Sequence, residues 1–130
     1  MTRTQHAAVA VALAAASAFP AFADTPALDG RSFEGVFLQR GKTSGDADTL
    51  VFRDGRFRSS ACDRYGYADA PYKTASMGDV TRFEAETQSA KYGRLRWSGE
   101  VRGGKLDATA TMVREGKPDM ENWVVAGEKR

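Results

Sequence analysis

The chain has 130 residues, a length for one domain, with 19 Lys and Arg against 17 Asp and Glu. That near balance gives no reason to expect a nucleic acid or an anionic membrane surface as partner. A single Cys excludes an intrachain disulfide and any cysteine-cluster metal site.

Residues 1–23 read as a secretory signal peptide. They hold 16 residues of hydrophobic type, one Arg (Arg3), no acidic residue and no Gly. Their apolar stretch, residues 7–16, is mostly Ala and too short for a bilayer core of about 30 Å. Pro20 then precedes Ala21, Phe22 and Ala23, a small-x-small cleavage pattern that predicts a mature start at Asp24. No twin arginine is present, and Cys62 lies far from the cleavage site, which argues against lipid attachment there. The expected location is therefore the periplasm or the medium outside the cell. Cleavage would remove His6, the only histidine, and leave 107 residues of formal charge +1. Without imidazole, His-based acid–base catalysis, Ser-His or Cys-His nucleophiles and His-ligated metals fall away together. The expectation is a non-enzyme, with no catalytic residue, no metal and no cofactor.

Residues 24–30, with Pro26 and Gly30, look like a flexible entry segment, and residues 31–130 form one domain of short alternating runs. The first strand is expected over residues 33–39. Residues 49–53 and 56–60 flank Asp54 and Gly55, a strong hairpin signal because a type I′ turn needs positive φ at both central residues. That turn places Phe52 opposite Phe57 and Leu50 opposite Ser59. Strands are then expected at residues 72–76 and 80–87, with residues 89–93 as a loop or a short helical turn. Residues 94–102 and 105–113 flank Gly103 and Gly104. Closing there pairs Val101 with Leu106, Gly99 with Ala108, Trp97 with Ala110 and Leu95 with Met112, and places the polar residues on the other face. Residues 122–127 supply the last strand. No segment has apolar residues at helical spacing. The fold class is all-β: an antiparallel up-and-down meander of about eight strands closing into a small barrel, with a two-sheet sandwich as the alternative.

The meander, the signal peptide and the run Trp97, Gly99, Val101, Gly103, Gly104, Leu106 together resemble small secreted bacterial barrels of the calycin, or lipocalin-like, type. The resemblance spans residues 31–129 and is one of architecture. Where that group carries Gly-x-Trp on the first strand, Phe33, Glu34 and Gly35 stand here. A second similarity is to secreted proteins of unknown function with Phe-x-Asp-Gly-x-Phe-x-Ser and a following Cys, matched by residues 52–59 and Cys62. The calycin resemblance implies binding of a small hydrophobic molecule inside the barrel, although fold does not fix function.

The inward set expected from alternation is Phe33, Phe37, Leu50, Phe52, Phe57, Tyr72, Phe83, Leu95, Trp97, Val101, Leu106, Met112, Trp123 and Val125. Small residues share that face at Ala61, Ala85, Gly99, Ala108 and Ala110. Such a mixture either lines a pocket or packs a closed core. With about 27 large apolar residues after residue 23, a filled or nearly filled interior is favoured. Residues 62–72 form the longest connection and hold three tyrosines, two aspartates and the only thiol. Tyr65, Tyr67 and Tyr72 either touch a ligand at a barrel mouth or cap the core with their hydroxyls in water. Cys62 is a buried packing thiol, a dimer-forming thiol or a reactive one; Arg58 and Arg64 would lower its pKa and Asp63 would raise it. The pairs Glu84 with Glu86 and Asp46 with Asp48 read as solvated strand faces, and Arg53, Arg56 and Arg58 as a surface strip.

These readings lead to an exported barrel that binds a small, partly apolar molecule at its mouth or interior, through Tyr65, Tyr67, Tyr72, Trp97 and Trp123. The alternative is a periplasmic interaction protein, such as an inhibitor of a secreted hydrolase or an envelope-stress factor. Expected partners are a small apolar ligand or a secreted protein, with no membrane span, in a monomer or a Cys62-linked dimer.

Overall fold

Two tight turns set the framework. Asp54 and Gly55 both adopt positive φ, 52° and 72°, as a type I′ turn requires, and Gly103 has φ 57°. The computed structural model describes residues 27–130, so the signal peptide read over residues 1–23 lies outside the described residues. Eight strands follow in order: β1 (Ser32–Gln39), β2 (Asp46–Arg53), β3 (Arg56–Ser59), β4 (Ala70–Met77), β5 (Val80–Ser89), β6 (Gly93–Arg102), β7 (Lys105–Val113) and β8 (Met120–Glu128). A short 3₁₀ helix, Ser60–Tyr65, follows β3. Each strand pairs antiparallel with its neighbours in sequence, and β1 also pairs with β8, which closes the barrel. Closure leaves no open edge, and the sandwich alternative does not apply.

The expected hairpin registers are present. Phe52 faces Phe57 and Leu50 faces Ser59 across β2 and β3. Val101, Gly99, Trp97 and Leu95 face Leu106, Ala108, Ala110 and Met112 across β6 and β7. The last strand differs from expectation in its phase. Trp123 and Val125 point out, 39% and 59% exposed, while Asn122, Val124 and Ala126 point in. The register fixes this, because Asn122 lies beside inward Ala110 and Trp123 beside Thr109.

The interior is an aromatic stack. Phe33, Phe52, Phe57, Tyr72, Phe83 and Trp97 are all buried, with neighbouring ring centroids between 4.8 and 6.1 Å, mostly edge to face. Gly99 makes room for it: a β-carbon there would sit 2.7 Å from the Phe83 ring and 2.8 Å from the Ala108 methyl. The lower interior is therefore filled.

The turns at residues 54–55, 78–79 and 103–104 lie at one end of the barrel, where residues 27–31 seal it. Residues 27–30, expected as part of a flexible entry, instead form a turn that carries fully buried Leu28. The Tyr72 hydroxyl donates to the Asp29 carboxylate (2.7 Å) and accepts the Leu28 N–H (3.2 Å). Asp29 also accepts the Gly55 N–H at 3.0 Å. Arg31 grips Glu128 through two bonds of 2.7 and 3.0 Å and donates to the Gly103 carbonyl. The other end, with the longer connections, is open.

Candidate functional site

At the open end a cleft of about 470 Å³ enters the barrel above the aromatic stack. Its apolar surface comes from Phe37 on β1, Leu95 on β6, Met112 on β7 and Met120 on β8. Leu95 faces Met112, and Met112 faces Met120, so three neighbouring strands offer one continuous greasy strip. The Phe37 ring meets Trp97 edge-on at 6.0 Å, which places the cleft directly on the core. The remaining wall is built by the 3₁₀ helix and the connection after it. Ala61, Cys62, Tyr65 and Tyr67 line the cleft together with Tyr92.

That wall is fastened at two points. The Ser89 hydroxyl donates to the Tyr65 carbonyl (2.7 Å) and accepts the N–H groups of Lys91 and Tyr92 (3.3 and 3.2 Å). Tyr65 and Tyr92 pack edge to face at 5.6 Å, and the Tyr67 hydroxyl donates to the Tyr92 carbonyl at 3.4 Å. Burial raises the Tyr67 phenol above its ordinary pKa.

The second fastening is a buried polar cluster. Asp48 is 2% exposed and accepts the Ala61 N–H (3.0 Å) and the Ser59 hydroxyl (2.8 and 2.9 Å to its two oxygens). Ser59 Oγ also lies 3.3 Å from Cys62 Sγ. The expected solvated pair of Asp46 and Asp48 is thus corrected, because Asp48 shares the inward face of Leu50 and Phe52. Burial raises the Asp48 pKa, and it pushes the Cys62 thiol up to about 11. The two arginines expected to act on the thiol are engaged elsewhere: Arg58 with Asp63, and Arg64 with Asp46 (2.8 Å) and over the Tyr65 ring.

The expected site residues therefore divide. Tyr65, Tyr67 and Cys62 meet in the cleft. Trp97 lies beneath it, 2% exposed, as part of the core. Tyr72 is at the sealed end. Trp123 is on the outer wall, its indole N–H donating to Glu121 at 2.7 Å. The sequence does not single out Tyr92, Arg114 or Asn122, and it places Asp48 on a solvated face. Parity with Leu50 was a usable signal for Asp48, whereas Tyr92 and Arg114 lie in connections where alternation carries no information.

The outer wall of β4 to β7 has a larger hollow, about 650 Å³, lined by Lys73, Glu84, Glu86, Arg96, Ser98, Thr109 and Thr111. Pro71, Ala85 and buried Trp97 complete its lining, and Trp97 turns its ring inward onto Phe57, so the hollow presents no aromatic face. Among the described residues no group of three His, Cys, Asp or Glu is placed to hold a metal ion, and no helix is long and apolar enough to cross a membrane. Comparison with protein-family models, with curated proteins and with solved structures gives no match.

Proposed function

We propose that the protein is an exported, non-enzymatic binding protein that takes one small, partly apolar molecule into the open-end cleft. The observation that carries this reading is the contrast between the two halves of the interior. Below Trp97 the barrel is packed with rings, while above it apolar side chains from four strands face a cavity of about 470 Å³. Ligand clefts of about 300–1,000 Å³ with an apolar lining and a few polar groups are the common form of small-molecule sites. Tyr65, Tyr67 and Tyr92 supply flat contact surface, and Asn122, Gln39 and Arg114 supply polar contacts. The composition of residues 1–23 supports export, and the lipocalin-like architecture agrees with a binding role.

The test uses a neutral apolar fluorophore such as N-phenylnaphthylamine. Saturable binding at one site is expected, and Ala61→Phe, which fills the cleft from its wall without removing a hydrogen bond, should weaken it at least about tenfold. Trp123→Ala should leave it unchanged. Absence of saturable binding, or binding indifferent to Ala61→Phe, would overturn the proposal.

A further inference from the structure

We infer that the molecule bound in this cleft carries an anionic head group, a carboxylate or comparable acid, and that Arg114 receives it. The inference rests on the reading of the cleft as a binding site and names the chemistry of its occupant. Arg114 follows β7 directly and lines the cleft. Its stem lies against Gly93, its Cγ 3.8 Å from where a β-carbon there would stand. Held in this way, its Nε is buried and meets no acceptor. A guanidinium is charged at any physiological pH, and a buried N–H without a partner is costly and rare. Such a donor is explained when its acceptor arrives with a ligand.

The charge balance of the cleft points the same way. Three charged side chains line it, Lys42, Asp46 and Arg114. Asp46 is already paired with Arg64 at 2.8 Å. Lys42 and Arg114 make no ion pair among the described residues. At the same end, Glu121 is engaged by Trp123 and Arg40, and Asp48 by Ser59 and Ala61. Glu115 and Asp119, in the same connection as Arg114, are exposed, do not line the cleft and make no ion pair with Arg114, so the unpaired charge among the lining residues is positive. An amphipathic anion matches both features: its acid group accepts from the guanidinium fork and its body covers Leu95 and Met112.

The experiment displaces N-phenylnaphthylamine from the full chain with dodecanoate and, in parallel, with dodecanol, which has the same tail and no charge. Dodecanoate is expected to bind at least about tenfold more tightly, in keeping with a charge-assisted pair. Arg114→Gln should abolish that preference and change dodecanol affinity less than about twofold. Thermal unfolding of Arg114→Gln and Arg114→Met should give a Tm equal to or above that of the parent, because each variant removes a buried N–H that has no acceptor. Equal affinity for acid and alcohol, or a preference that survives Arg114→Gln, would overturn the anion inference and leave the cleft reading standing. If the probe itself shows no saturable binding, the cleft reading fails and the inference fails with it.

Discussion

Cys62 and Asp48 share one hydroxyl, and the proton count decides how. Ser59 has a single O–H and stands within hydrogen-bond distance of both partners. A carboxylate is a far better acceptor than sulfur, so Ser59 donates to Asp48 and the thiol donates to Ser59 Oγ. With its pKa pushed up to about 11, Cys62 is a thiol rather than a thiolate at neutral pH. An aromatic disulfide reagent should therefore modify native Cys62 at least roughly a hundredfold more slowly than the unfolded chain. Equal rates in the two states would refute the burial account. The carboxylate has its own signature. Because burial raises the Asp48 pKa in the folded state, the fold binds that proton more tightly than the unfolded chain does. The associated stabilisation is complete below the ordinary carboxylate pKa and is lost as pH rises through the raised one. Denaturant unfolding should show the parent losing stability relative to Asp48→Asn across that rise. A difference between the two proteins that stays constant with pH would contradict this assignment.

Among the elements, the seam between β1 and β8 turns a twisted meander into a barrel, and Gly35 sits on it opposite Ala126. A β-carbon at Gly35 would lie 2.8 Å from both the Cα and the Cβ of Ala126 and would press on the Val125 carbonyl. Gly35→Ala should cost about 1–3 kcal/mol, seen as a lower unfolding midpoint. It should also speed amide exchange along β1 and β8 before the β6–β7 hairpin is affected. Exchange accelerated equally in all strands would argue against a local seam. The hairpins were legible in the sequence because Asp54-Gly55 and Gly103-Gly104 fix a turn, and a fixed turn fixes every pair behind it. The last strand was not. Trp123, Val124, Val125 and Ala126 are all apolar, so alternation gives no phase, and the size of Trp123 favours the wrong one. Its register is set from outside, by Ala110 and Thr109 on β7. A similar limit hid the cleft wall, since the placement of Tyr92 and Arg114 depends on how connections fold over the rim. Asp48 was legible in principle, being two and four residues from inward Leu50 and Phe52.

For the molecule as a whole, the two ends of one barrel have different tasks. The sealed end is held by Leu28, Asp29 and Tyr72, and the open end by a 3₁₀ helix tied down at Asp48 and Ser89. Tyr72→Phe should thus cost about 1–2 kcal/mol of stability, through the Leu28 N–H and Asp29 left without their partner, and leave probe affinity within about twofold. A large loss of affinity with unchanged stability would place the ligand at the wrong end. The most direct test of the central claim is a two-dimensional amide NMR titration of the full chain with dodecanoate. Saturable shifts are expected only at the open end, at Ala61, Cys62, Tyr67, Tyr92, Met112, Arg114 and Asn122, with the sealed end and the outer wall of β4 to β7 unmoved. Shifts centred on Lys73, Glu84 and Thr111, or a spectrum that does not change, would contradict that claim.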